Sequence, residues 1–280
     1  MNSNISLQHI GLVADTTQLS FSELGKVSAA LQKQAMRDLG PIWGIQATVD
    51  AFASLDDVPI DYWPIIVRDD INTPGAAGVH LDKDGHPFAL VQYSPGWSLT
   101  ASHECLEMLC DPLGNNVKAG KSPKPDQGRV EFLVEVCDPS EADQFAYTVN
   151  GVIVSDFYTP HYFDPVVSSG VRYSYTGAIK KPRTVLKGGY LSWHDPITDH
   201  WFQEVYFKSA PEFRDLGKLT QAKGSIRTLI YEQTPEAFLA RVPKDEPAAA
   251  ASLLMAEVSD SGSAKAKMLR VEINNLLKKK

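Results

Sequence analysis

The chain is short of cysteine, of long apolar runs and of positive charge, and each shortage removes a class of protein. Its three cysteines, Cys105, Cys110 and Cys137, form an odd set without a CxxC pair. That pattern fits a reducing compartment better than a disulfide framework. As zinc ligands they also fit poorly, because Cys105 and Cys110 lie about 140° apart on a helix and do not converge. No segment approaches the roughly 18 apolar residues of a membrane-spanning helix, and the first residues have neither a basic stretch nor a long apolar one. The reading is a soluble, cytoplasmic protein without a membrane partner. The formal net charge of -7 leaves no basic footprint for a nucleic-acid backbone. With 43% hydrophobic and 22% charged residues among 280, the chain can still bury a sizeable core.

Periodicity and punctuation give the element order. Ser20 and Glu23 form a capping box, after which Leu24, Val27, Leu31, Ala35 and Leu39 repeat at helical spacing until Gly40 and Pro41, where the helix is expected to stop. Ile45 to Phe52 and Trp63 to Val67 have strand composition, so the opening order is strand, helix, strand, strand. Residues 78 to 93 read as a hairpin turning at Asp84 and Gly85, with Pro87 confining the second arm to a strand start or a sheet edge. Asn150-Gly151 marks another hairpin, and residues 190 to 201 a third. His80 and His86 read as exposed hairpin positions, and His194 and His200 as surface or aromatic-packing residues.

Chemistry concentrates in residues 100 to 112, which contain His103-Glu104-x-x-Glu107 and then Asp111-Pro112. On a helix, His103 and Glu107 share one face and can reach one cation. Glu104 is turned about 100° away, where it can hold a water beside that cation. The segment is otherwise apolar, with Leu99, Cys105, Leu106, Met108, Leu109 and Cys110. A helix apolar nearly all round is buried, and buried carboxylates need a cation or hydrogen-bond partners.

The order of strand, edge hairpin, Gly-containing loop and HExx helix resembles the zincin metallopeptidases, through these residues and the elements from about Ile45 to Asp138. HExxExxxDP is also similar to stretches in bacterial and plant proteins grouped with the metallopeptidases. The resemblance implies an α+β fold with a zincin-like mixed sheet, an N-terminal helix and a metal-site helix, followed by a hairpin-rich β region at about 147–210. It implies His103 and Glu107 as ligands of Zn2+ or another divalent cation, and Glu104 as the catalytic base. The sequence departs from the HExxH pattern at Glu107, whose charge lowers the Lewis acidity of a bound metal. A third ligand is required. Glu135 is the expected third ligand, as a Glu downstream of the helix is in one zincin branch, with Asp111 as the alternative or as the acceptor for the free imidazole nitrogen. Tyr158 and His161 are of types that stabilise a developing oxyanion, and Asp138 could brace a ligand.

Residues 1–240 are thus expected to form the catalytic-type domain, and 241–280 a linker with a helical tail that binds a partner or another subunit. The expected activity is zinc-dependent hydrolysis of a peptide or protein substrate paired to an edge strand, placed around Phe88 to Val91. The alternative is a non-catalytic zincin-derived binding or structural protein whose metal site is structural or vestigial.

Overall fold

Strand β1 (Leu7–Asp15) enters the core through Ile10 and Leu12, and the capping box then starts α1 (Phe21–Lys33). Ser20 Oγ accepts from the Glu23 amide at 3.2 Å, and the Glu23 carboxylate accepts from the Ser20 amide at 3.1 Å. The helical path does not stop at Gly40-Pro41. Residues Gln34–Leu39 widen into a π-helical turn, and α2 (Gly40–Trp43) carries Pro41 in its first turn before Gly44 closes it in the left-handed region. The wider π-helical turn just before Pro41 accommodates the proline within a continuing helical path. The structure, a computed structural model, describes residues 7–73, 77–220 and 225–234, together with position 271. The expected linker and tail at 241–280 lie outside the described residues, apart from that single position.

The first sheet adds β2 (Gln46–Phe52), β3 (Trp63–Arg68), β4 (Gly78–Lys83) and β5 (His86–Gln92), in the order β2-β1-β3-β5-β4. Only β4 runs antiparallel to its neighbour. Asp84 and Gly85 take positive φ in the β4–β5 turn, as a type I′ hairpin requires. β5 is an inner strand, so Phe88 to Val91 are not the sheet edge and β4 is. Pro87 is tolerated because it is the second residue of its strand.

One face of this sheet carries α1 and α3 (Trp97–Cys110). Ile65, Val67, Ala89 and Val91 alternate toward that face and meet Leu24 and Leu31 of α1 and Ala101, Cys105 and Met108 of α3. Full burial of each large side chain contributes about 1.5–3 kcal/mol. Beyond α3 a second, antiparallel sheet is built from β6 (Val117–Lys121), β7 (Arg129–Leu133), and later β10 (Tyr190–Asp195), β11 (His200–Val205) and β12 (Glu212–Gly217). The small hairpin of β8 (Tyr147–Val149) and β9 (Val152–Val154) turns at Asn150 and Gly151, both at positive φ, and packs on α3. A final short helix, α4 (Ile226–Glu232), follows. The fold is α+β, with a mixed sheet and antiparallel sheets. α3 therefore has structure on both sides, and every residue from Thr100 to Leu109 is buried.

Candidate metal centre

The geometry of α3 follows from close packing against β4. A Cβ on Gly78 would lie 2.5 Å from Thr100 Cγ2 and 2.8 Å from Glu104 Oε1, so only glycine lets the strand approach the helix there. Ser102 fixes the opposite side: its hydroxyl donates to Gln34 Oε1 and accepts from the Ser155 amide. Held between these contacts, His103, Glu104 and Glu107 all point into protein, none of them more than 3% exposed.

The segment after β7 supplies the remaining acids. Val134, Val136 and Cys137 are anchored in the core, which wraps residues 135 to 141 around α3 and delivers Glu135, Asp138 and Glu141 to it. The Cys137 amide donates to Glu107 Oε1 at 3.1 Å. Gly189 lets the neighbouring loop close on this segment, since a Cβ there would be 2.5 Å from the Asp138 carbonyl oxygen.

At the centre, His103 Nε2 lies 3.1 Å from Glu107 Oε2 and 3.2 Å from Asp138 Oδ1. One nitrogen donates at most one proton, so His103 Nε2 shares it between two carboxylates or a cation sits among the three groups. Donors bound to zinc at about 2.0–2.1 Å in a tetrahedron sit roughly 3.3 Å apart, close to both spacings. Asp138 and Glu141 also group with His103, their ligand atoms all within 4.8 Å of one another. A small cleft, lined by Ser94, Thr100, His103, Glu141 and Asp143 among others, opens onto this side.

The other side is held by a cation the sequence reading missed. Arg227, 1% exposed on α4, forms ion pairs with Glu107 and Glu135 and lies 3.8 Å from Glu104 Oε2. Its guanidinium also donates to the Tyr231 hydroxyl and lies over that ring, 4.6 Å from the centroid. α4 is seated by the Ile226 amide on Asn115 Oδ1, by the Arg227 amide on the Gly114 carbonyl, and by Ile226 and Ile230 against Leu133 and Trp201. A lone arginine in the apolar run from Ile226 to Tyr231 was the available signal.

These neighbours pull the carboxyls apart. Burial alone would raise Glu107, but the charges of Arg227 and His103 outweigh it and hold its pKa well below the usual value. Glu104 is likewise lowered against burial, by His80, His103 and Arg227. Glu135 is raised well above the ordinary range by burial, because Arg227 does not offset the added repulsion of Glu107 and Asp138. Burial raises the Cys137 thiol as well, and nearby Glu107 reinforces it, which keeps the sulfur a neutral thiol.

The sequence candidates sort plainly. His103, Glu104, Glu107 and Glu135 are brought together, although Glu135 lies just beyond β7 and faces Arg227. Asp111 does not reach His103: its carboxylate accepts from the Asn115 and Asn116 amides, ending α3. Tyr158 is buried and stacked on Tyr162, its hydroxyl has no hydrogen-bond partner, and its raised pKa, due first to burial, is reinforced by Tyr162 and Glu135. His161 is exposed and pairs with Asp164. His86 is exposed as expected, but His80 is buried, because β4 turns it toward α3. Its Nε2 donates to the Asp111 carbonyl at 3.1 Å, and its Nδ1 lies 3.7 Å from Glu104 Oε2.

Comparison with family models, curated proteins and solved structures finds no match for this chain. The site must therefore be read from its own chemistry. Among the described residues, no helix is long and apolar enough to cross a membrane.

Proposed function

We propose that the protein is a zinc-dependent hydrolase acting on peptide bonds, with the metal held by His103, Glu107 and Asp138 and with Glu104 as the base. The supporting observation is the position of His103 Nε2 between two buried carboxylate oxygens from separate chain segments, at 3.1 and 3.2 Å. An imidazole and two carboxylates form a hard-to-borderline donor set suited to zinc, and another divalent cation fits the same chemistry. Asp138 replaces Glu135 as the third ligand in this reading, since it is Asp138 Oδ1 that lies 3.2 Å from His103 Nε2.

When bound, the zinc supplies a Lewis acid that makes water acidic enough to react near neutral pH. Glu104, kept ionised by its neighbours, takes the proton from the attacking water and returns it to the leaving amine. Tyr158 stays protonated and offers a donor for developing negative charge. The cleft beside Thr100 and His103 admits the substrate, which pairs along the β4 edge.

The test is zinc content and peptide turnover of the full chain. Glu104→Gln is expected to keep zinc and lose about 100-fold or more in turnover, whereas Asp138→Asn loses zinc. A Glu104→Gln protein that loses zinc, or a wild type that takes up none at micromolar zinc, rejects the mechanism. The non-catalytic reading draws on Arg227, which already neutralises part of the cluster. Bound zinc without turnover on any peptide library, together with a large stability loss on chelation, supports that reading instead.

A further inference from the structure

The cluster contains a second set of ligand-type residues on the far side of Glu107. Ligand atoms of His80, Glu104 and Glu107 all lie within 4.8 Å of one another, and all three residues are buried. His80 Nε2 donates to a carbonyl, and Nδ1 of the same ring faces Glu104 Oε2 across 3.7 Å. That is beyond hydrogen-bond reach, and Nδ1 is without a hydrogen-bond partner in a wholly buried position. A buried imidazole nitrogen and a buried carboxylate set this far apart, with Glu107 beside them, leave a place for a cation. Arg227 answers only in part: its guanidinium is bonded to Glu107, 3.8 Å from Glu104, and has its other arm on Glu135.

We infer that the cluster is a two-cation centre in which Arg227 takes the place of a second divalent metal, the latent site being His80, Glu104 and Glu107. The inference rests on the first metal being held at His103 as proposed above, with Glu107 shared between the two cations. Buried Glu104, Glu107, Glu135, Asp138 and Glu141 crowd one region, and one zinc does not balance so many acids unless further protons or cations join it. A guanidinium supplies that charge without offering an open coordination position. Glu104 consequently stays off metal and available as a base, where a second zinc would take it as a ligand.

Zinc counted per chain, by elemental analysis after gel filtration, separates the possibilities. Wild type is expected to hold one zinc, Arg227→Met two, and Arg227→Met combined with His80→Phe one again. Arg227→Gln, which keeps a donor for Glu107, serves in the same comparison if the methionine variant does not fold. One zinc in both wild type and the Arg227 variants overturns the second site while leaving the first intact. No zinc in wild type rejects the His103 site; uptake by the Arg227 variants that His80→Phe then abolishes still supports the latent one, and no uptake by any variant rejects both.

Discussion

Replacing Arg227 by methionine in metal-free protein removes the cation from two buried carboxyls. Glu107 is the more sensitive of them, because its pKa is held well below the ordinary value largely by Arg227. Breaking a buried pair at one partner costs about 3–5 kcal/mol. At about 2–4 °C per kcal/mol for a domain of this size, the melting temperature falls by roughly 6–20 °C. The pH dependence gives the signature. A depressed carboxyl pKa contributes stability that is present above the unfolded value, near 4.5, and is lost as pH falls through the folded value. Without Arg227 that contribution disappears, so the gap between wild type and variant is wide at pH 7.5, begins to shrink only near pH 4.5 and closes as pH falls toward the folded value. Urea unfolding in EDTA at pH 7.5 and at a series of pH values below 4.5 measures it. A gap below about 1 kcal/mol at pH 7.5, or one that does not narrow in acid, refutes the assignment of Arg227 as the partner of an ionised Glu107.

Two further outcomes are expected elsewhere in the molecule. Burial raises Glu204 to about 7 from a usual 4.5; the folded state therefore keeps a proton that the unfolded chain releases earlier, and the stability this provides below pH 4.5 is lost as pH rises to about 7. The loss is about 1–2 kcal/mol after discounting for partial exposure. Glu204→Gln is expected to flatten it, and a pH-stability curve unchanged in the variant contradicts the reading. Burial pushes the Cys105 thiol up to about 12, so a thiolate-selective reagent at pH 8 is expected to label it only after unfolding, at a rate mass spectrometry can follow.

Much of the fold is legible in short-range chemistry. The Ser20–Glu23 box, the Asp84-Gly85 and Asn150-Gly151 turns and the all-round apolar character of α3 are local signals, and the elements follow them. Position in the sheet is not local. Pro87 permits a strand start or an edge, and only the pairing of β4 outside β5 decides between them. The same division runs through the site. His103, Glu104 and Glu107 share one helix, so their spacing carries the information. Asp138 joins them because Val134, Val136 and Cys137 bury the preceding strand extension, and Arg227 because α4 docks on Gly114 and Asn115. His80 looked exposed because a hairpin has two faces, and which one is covered depends on α3, seventeen or more residues downstream in the chain.

The most direct test of the account is a zinc-edge anomalous diffraction map of the wild-type chain soaked in zinc. The account expects one strong peak within about 2.0–2.2 Å of His103 Nε2 and of carboxylate oxygens from Glu107 and Asp138, with Arg227 still seated on Glu135. No peak at His103, or a peak coordinated by Glu135 with Asp138 turned away, contradicts it.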